Sequence, residues 1–350
     1  MRILLAIVLM ASLLCSLPAC RSGSTIPDVS HLQAPVAVQR FDLEFFSLDT
    51  LLLETALRKL EASYPHFFPQ YMSMVLGIQA PNTEGLEAVK AFLRSYAQVQ
   101  QQAAEVWAKH AAQWQQQTSQ VLKYWKYYFP NRRVDSPFVL IPFIGPMDAL
   151  EPFSIGDYGD VRTPNGAGIA MQFHLGSQAQ VYETGMQSGL LYDYQVRRFT
   201  PQTVVVNLAK NLIDDAFAYQ PASLNLIEQM VEKGRRLVVL DLLLPQTPDS
   251  LKLGYTGGQV LGCQQNEALI WNYFVKNDLL YSKDPSLLQL YLRDGPKTQE
   301  LGEGAPGYIG LFLGRQIVRA FMDKYPQTTP EQLMQMPPRQ VFEQAGYKPK

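Results

Sequence analysis

The residues whose spacing comes closest to that of a known catalytic site are Asn207 and Asn211, in the run VVVNLAKNLIDDAF. Side chains four residues apart lie on one face of a helix, one turn from each other. Zinc peptidases place two histidines at this spacing, with a glutamate directly after the first as the general base. Here both ligand positions hold asparagine, and the base position holds Leu208. The sequence therefore predicts no metal at this helix. Asn207 and Asn211 are either vestiges of such a site or simply part of a solvated helix face. Their residue types favour the solvated face.

Glu267 is a third vestigial candidate, because it resembles the third zinc ligand that gluzincins carry on a later helix. It opens the apolar run EALIWNYF, and a carboxylate is costly to bury there without a partner. Arg315 and Arg319 share a helix face, so either could pair with Glu267 or with a surface acid. We predict that Arg315 is the inward one, since Gly310 precedes it in a closely packed helix. Without histidine ligands, Glu267 could serve only as an acid or base in a residual hydrolase.

A group of residues before Glu267 has predicted structural roles. Asp241 and Asp249 lie on either side of the LLLP turn and are expected to hold Lys252. Gly254 and Gly257 are expected to permit turns or a close backbone approach before the next helix.

The first 35 residues predict export and a lipid anchor. Met1-Arg2 precedes the apolar stretch 3–17, which is too short to span a bilayer. The following Leu17-Pro18-Ala19-Cys20 resembles a bacterial lipobox, which implies a signal peptide over 1–19 and acylation of Cys20, including palmitate. The alternative is ordinary secretion with cleavage near Ala19. Residues 20–35 read as a tether, and Arg21, which is not an acidic retention signal, favours the outer over the inner membrane.

The amino-acid composition excludes several classes of function. With 47% apolar and 17% charged residues, the chain forms a globular core. A net charge of −1 argues against nucleic-acid partners. Once Cys15 and Cys20 are set aside, Cys263 stands alone, so no intramolecular disulfide is expected. No glycine-rich phosphate loop is present, and no cofactor is predicted.

Periodicity predicts one mostly helical α+β domain over 36–350 with a small sheet. A first strand is expected to open the stretch 36–49, and a helix follows and ends before Pro65. Residues 82–128 read as one long helix docked by its tryptophans, or alternatively as a glutamine-rich interaction tract. Apolar runs at 132–145 and 166–177 read as strands, joined by a hairpin-like or long exposed link.

Several segments, taken in order, resemble one family. They are VQRFDLEFF, YPHFFPQYMSMVLGI, the stretch LDLLLPQTPDSLKLGYTGGQVLGCQQNEALIWNYFVKNDLLYSKD and PGYIGLFLGRQIVRAFM. Together with the lipobox they resemble the gliding motility-associated lipoprotein GldB family of Bacteroidetes, most strongly over 240–322. The resemblance implies a non-catalytic envelope lipoprotein with a degenerate zincin-like domain. Its partners would be the membrane, through Cys20, and proteins of an envelope or motility machinery. A peptide-binding role or a residual hydrolase is the alternative.

Overall fold

The computed structural model describes residues 26–80, 82–148, 155 and 159–350. The predicted signal peptide and Cys20 lie outside the described residues. The strands are β1 (Val36–Val38), β2 (Phe138–Phe143), β3 (Val161–Thr163) and β4 (Gly166–Ala170). The first helices are α1 (Phe41–Phe46), α2 (Leu53–Ser63), α3 (Phe68–Gln70, followed by the π-helical turn Tyr71–Val75), α4 (Thr83–Tyr128), α5 (Gln180–Gln187), α6 (Asp193–Val196) and α7 (Val204–Ala216). The others are α8 (Leu226–Leu243), α9 (Asp249–Leu253), α10 (Gly257–Gln265), α11 (Glu267–Lys276), α12 (Pro285–Leu292), α13 (Ile309–Lys324), α14 (Pro330–Gln335) and α15 (Pro338–Ala345). A mostly helical α+β fold with a small sheet is thus confirmed.

The sheet has the strand order β1-β2-β4-β3, with only the β3–β4 pair antiparallel among the described strands. Every residue of β2 is buried, as expected for a central strand covered on both faces. The two apolar runs pair in parallel as β2 and β4, so the predicted link is not a hairpin that joins them. Its described part contains β3, which forms an antiparallel hairpin with β4. Gly166 is required at the start of β4, because a Cβ there would lie 2.0 Å from the carbonyl oxygen of Val139 in the neighbouring strand β2.

The predicted first strand is shorter than expected, because the chain turns into α1 after Val38. Phe41 and Phe45 lie one turn apart and are both fully buried, so the helical spacing of these rings overrides the short alternation before them. Arg40 donates a hydrogen bond to Asp42 beside them at 2.8 Å.

The folded part begins earlier than residue 36. Val29 and Ala34 are buried in the core. The Ser119 hydroxyl donates a hydrogen bond to the carbonyl oxygen of Ala34 at 2.7 Å. The backbone amide of Phe138 donates one to the carbonyl oxygen of Pro35 at 3.0 Å. The tether predicted for 20–35 is corrected at its end, where the chain packs on α4.

The long helix α4 confirms the reading of 82–128 as one helix docked by tryptophans. Asn82 caps it by accepting a hydrogen bond from the amide of Gly85 at 2.9 Å. Trp107 and Trp114 are buried, and the Trp114 indole donates to the carbonyl oxygen of Pro201 at 3.0 Å. Helix α4 thereby fixes the start of α7.

Helices α8 and α13 form the centre of the second half of the chain. They cross at two glycines, where a Cβ on Gly314 would lie 1.8 Å from the carbonyl oxygen of Met230. A Cβ on Gly234 would lie 2.2 Å from the Gly314 backbone. On its other side α8 meets α7, since Arg236 donates to Asp214 at 3.1 Å. No helix among the described residues combines the length and apolarity needed to cross a bilayer.

Candidate functional site

Helix α7 buries both of its predicted site residues. Asn207 and Asn211 are 8% and 7% exposed, and Lys210 between them is 4% exposed. The prediction of a solvated helix face is therefore wrong. Helix α7 packs against α4, α8 and the strands β3 and β4, so these side chains on its polar face are enclosed by the rest of the fold.

Asn207 and Lys210 line a cavity of about 200 Å³, which we call the α7 cavity. Two guanidinium-bearing residues, Arg197 and Arg198, reach it from the segment after α6. The remaining lining residues are Phe173, Phe199, Thr203, Ser250, Leu251, Gly254, Tyr255 and Thr256. The charge of Arg198 is balanced by its ion pair with Asp294, but Lys210, Arg197, an amide and hydroxyl groups still make this a place for a negatively charged group.

Lys210 is the least hydrated of these cations. Burial and, to a lesser extent, the charge of Arg198 lower the pKa of Lys210 to about 7, against the opposing attraction of Asp214 and Asp294. A buried ammonium is costly, and a ligand that brings a negative charge would favour its protonated form. The α7 cavity can therefore couple anion binding to proton uptake near neutral pH.

Asn211 has a different role from Asn207, although the two share a helix face. Its amide nitrogen lies 3.2 Å from Asp160 Oδ2 and donates to it. The other oxygen of Asp160 accepts from the amide of Ala170 at 2.9 Å. Asn211 therefore ties α7 to β4 and does not line the α7 cavity.

Glu267 is held away from the α7 cavity by neutral partners. Its two oxygens accept hydrogen bonds from the Gln316 amide at 2.6 Å and from the Tyr347 hydroxyl at 2.7 Å. Burial and the Glu267 carboxylate raise the pKa of Tyr347 above its usual range, so this hydroxyl stays a donor. Neither Arg315 nor Arg319, the two arginines left open as partners, holds Glu267 in these contacts, and Glu267 is not among the residues that line the α7 cavity.

Arg315 points inward, as predicted, but its partners are Asp241 and Asp249. It is 2% exposed and donates to these carboxylates at 2.7 and 2.6 Å. Lys252 also donates to Asp241, at 2.9 Å, which confirms the predicted contact. Burial would raise the pKa of Asp249, but the bond and charge of Arg315 outweigh it and leave the pKa below its usual value.

The two glycines predicted to permit turns behave differently. Gly254 ends α9 in the left-handed conformation, with φ of 72°, which favours glycine. Gly257 begins α10, and a Cβ there would have no neighbour within 4 Å, so it mediates no close approach. The turn role is confirmed for Gly254, whereas the structure shows no need for glycine at Gly257.

Sequence reasoning missed the cations of the α7 cavity. Lys210 was visible on the polar face of its helix, yet nothing local shows that this face is enclosed. Arg197 and Arg198 follow a four-residue helix and carry no motif. Among the described residues, no group of three or more His, Cys, Asp or Glu side chains is placed to hold a metal ion.

Comparison with known proteins gave one finding. A family model described as gliding motility protein GldB matches residues 22–349. No protein with a curated description and no solved structure matches the chain.

Proposed function

The chain belongs to the family of the gliding motility protein GldB, and on this premise we propose that it is a non-catalytic, lipid-anchored protein of the cell envelope. In this proposal it supports a gliding or related envelope machinery by binding a protein partner. The acylated Cys20 places it at the membrane, with the outer membrane favoured, and one domain after the tether carries the binding site.

The chemistry of the α7 cavity is the observation that supports binding over catalysis. Where the four-residue spacing of a zinc site falls, the helix presents Asn207 and the ammonium of Lys210, with Arg197 and Arg198 beside them. Like charges in a poorly hydrated site repel strongly, so this arrangement disfavours a divalent cation. It suits a carboxylate or a phosphate carried by a partner.

The residual-hydrolase alternative has less support. It needs Glu267 as an acid or base beside a substrate, but this carboxylate is held by Gln316 and Tyr347. Descent from zincin peptidases stays a prediction from the family resemblance. What favours it is the position of α7, which carries the spaced asparagines and packs on the sheet.

The anchor is tested by Cys20→Ser. We expect the wild-type chain, expressed in its native host with radiolabelled palmitate, to take up label and to fractionate with the outer membrane. Cys20→Ser should abolish the label completely, because the acyl chains have no other attachment point and firm anchoring requires more than one chain.

Cys263→Ser is the matched control for this experiment. Cys263 is buried, and burial raises the pKa of its thiol to about 12, so the label should persist. An unlabelled wild-type chain, or a Cys20→Ser chain that keeps its label, would contradict the lipid anchor.

A further inference from the structure

A second and larger cavity of about 980 Å³, which we call the Lys233 cleft, adjoins the α7 cavity. The two share a wall. Arg198 lines the α7 cavity and forms an ion pair with Asp294, which lines the Lys233 cleft. Tyr255 lines the α7 cavity and donates a hydrogen bond to the carbonyl oxygen of Tyr308, which lines the cleft, at 3.0 Å. The volume is at the upper end of the range for ligand pockets, so the cleft has room for more than a small ion.

Lys233 lines the cleft in a fixed position, and burial lowers its pKa to about 7, so a negative ligand would favour its protonated form. Lys233 is 4% exposed, and its ammonium donates to the hydroxyl of Tyr308 at 2.7 Å. The same ammonium lies 4.8 Å from the centre of the Tyr219 ring and 5.1 Å from that of Tyr308. The Tyr219 hydroxyl is fixed in turn by a bond to Gln229 at 3.0 Å. The ammonium is therefore held between two aromatic rings at the base of the cleft.

The backbone of Tyr308 is strained at the same place. Its φ is 62°, in the left-handed region that bulky residues rarely occupy. Such strain persists only where the surroundings impose it, and it concentrates at ligand sites. Helix α13 begins at the next residue without a side-chain cap, so its positive end lies at the cleft wall and favours a negative ligand.

The other residues that line the cleft indicate which chemical groups a ligand would carry besides a negative charge. Two exposed cations, Lys283 and Arg293, stand among the lining residues. The acids that line the cleft are Asp148 and Asp294, and Asp294 is already paired with Arg198. The apolar lining residues are Leu190, Pro221, Ala222, Leu224, Pro285, Leu288 and Leu292. A negative group set among apolar groups is the complement of this surface.

We propose that the Lys233 cleft binds an acidic peptide segment of a partner protein, with an aspartate or glutamate carboxylate against Lys233 and apolar neighbours against Leu288 and Leu292. This inference deepens the proposed function, on which it rests, because it names the chemistry of the partner. The exposed cations at the mouth would draw the acidic segment in, and the buried ammonium would fix its register.

The test uses the full chain in mild detergent and random heptapeptides displayed on phage. We expect the selected peptides to be enriched in Asp or Glu relative to the input library. Measured by fluorescence anisotropy, these peptides should bind Lys233→Met at least about tenfold more weakly, as expected when one partner of a buried charge pair is removed. Lys233→Met changes a buried residue, so a second variant that changes only exposed residues is also needed. The double variant Lys283→Glu/Arg293→Glu should weaken peptide binding at least threefold.

The exposed Lys109→Met on α4 is the matched control and should bind the peptides like the wild type. Selected peptides without acid enrichment, or with equal affinity for Lys233→Met and for the surface variant, would overturn the proposal. So would vesicles of phosphatidylglycerol that bind through Lys233 when the peptides do not. Each of these results concerns the cleft alone, whereas loss of the palmitate label concerns the proposed anchor, so the two failures are distinguishable.

Discussion

Gly314→Ala is expected to lower the free energy of unfolding by more than about 3 kcal/mol, or to prevent folding altogether. The new Cβ would lie 1.8 Å from the carbonyl oxygen of Met230 and 2.6 Å from its carbonyl carbon. Both atoms belong to the backbone of α8, so no side-chain rotation relieves the clash. The helices α8 and α13 would have to separate along the contact that holds the second half of the chain together.

Urea denaturation followed by circular dichroism measures this effect, and Gly262→Ala is the matched control. Gly262 lies inside α10, where a Cβ would meet nothing within 4 Å. Alanine there should raise the stability by roughly 0.5–1 kcal/mol, because it replaces glycine in a helix. Equal unfolding midpoints for the two variants would mean that α8 and α13 do not cross at Gly314.

Lys210→Met is expected to raise the free energy of unfolding by roughly 2–4 kcal/mol at pH 6 to 7, since one unit of pKa corresponds to about 1.4 kcal/mol. The pKa of Lys210 is about 7 in the folded chain and near the usual lysine value of 10.5 when unfolded. Between these values the unfolded state binds more protons, so the stability of the wild type rises with pH across this window. Burial of the charged ammonium therefore lowers the free energy of unfolding by its full amount below pH 7, and this effect has disappeared near pH 10.5.

The advantage of Lys210→Met should therefore shrink as the pH rises from 7 toward 10. The charged groups that act on Lys210 from its surroundings are Arg198, Asp214 and Asp294, and all three are unchanged in this variant. Thermal unfolding at a series of pH values measures the difference, with the exposed Lys109→Met as control, which should stay within about 0.5 kcal/mol of the wild type. A Lys210→Met chain that is less stable than the wild type at every pH would contradict this prediction. It would show that the contacts of Lys210 stabilise the fold by more than the burial of its charge destabilises it.

The parts of the fold that sequence predicts are those set by local patterns. Asn82 and the spaced tryptophans mark the 46 residues of α4, because capping and periodicity act within one helix. The inward position of Arg315 followed from Gly310 and its helix, since small residues indicate close packing. The apolar run at 132–145 likewise predicted a strand, which the structure has as β2 at Phe138–Phe143.

The candidate site was harder to predict because its chemistry depends on distant contacts. The polar face of α7 looks solvated by composition, yet Asp160 and Arg236 reach it from other elements. A periodic pattern shows which face is apolar, but it cannot show that the polar face is enclosed as well. The strain at Tyr308 has no signal in the residue type, since glycine and asparagine are the usual residues in that conformation.

Glu267 shows the limit of reading a role from position alone. Its place at the start of an apolar helix suggested an ion-pair partner or a vestigial ligand. The structure gives it Gln316 and the C-terminal Tyr347 instead, a contact across 80 residues that no local pattern encodes.

The most direct measurement of the proposed binding role is colony spreading by the native host, with its own copy of the gene replaced by variants. Lys210→Met should be present at wild-type level or above, because it is the more stable chain, and should still fail to restore spreading, because the α7 cavity has lost its buried cation. Glu267→Gln should restore spreading fully. Full restoration by Lys210→Met, or loss of spreading in Glu267→Gln at an unchanged protein level, would contradict a function based on anion binding at the α7 cavity.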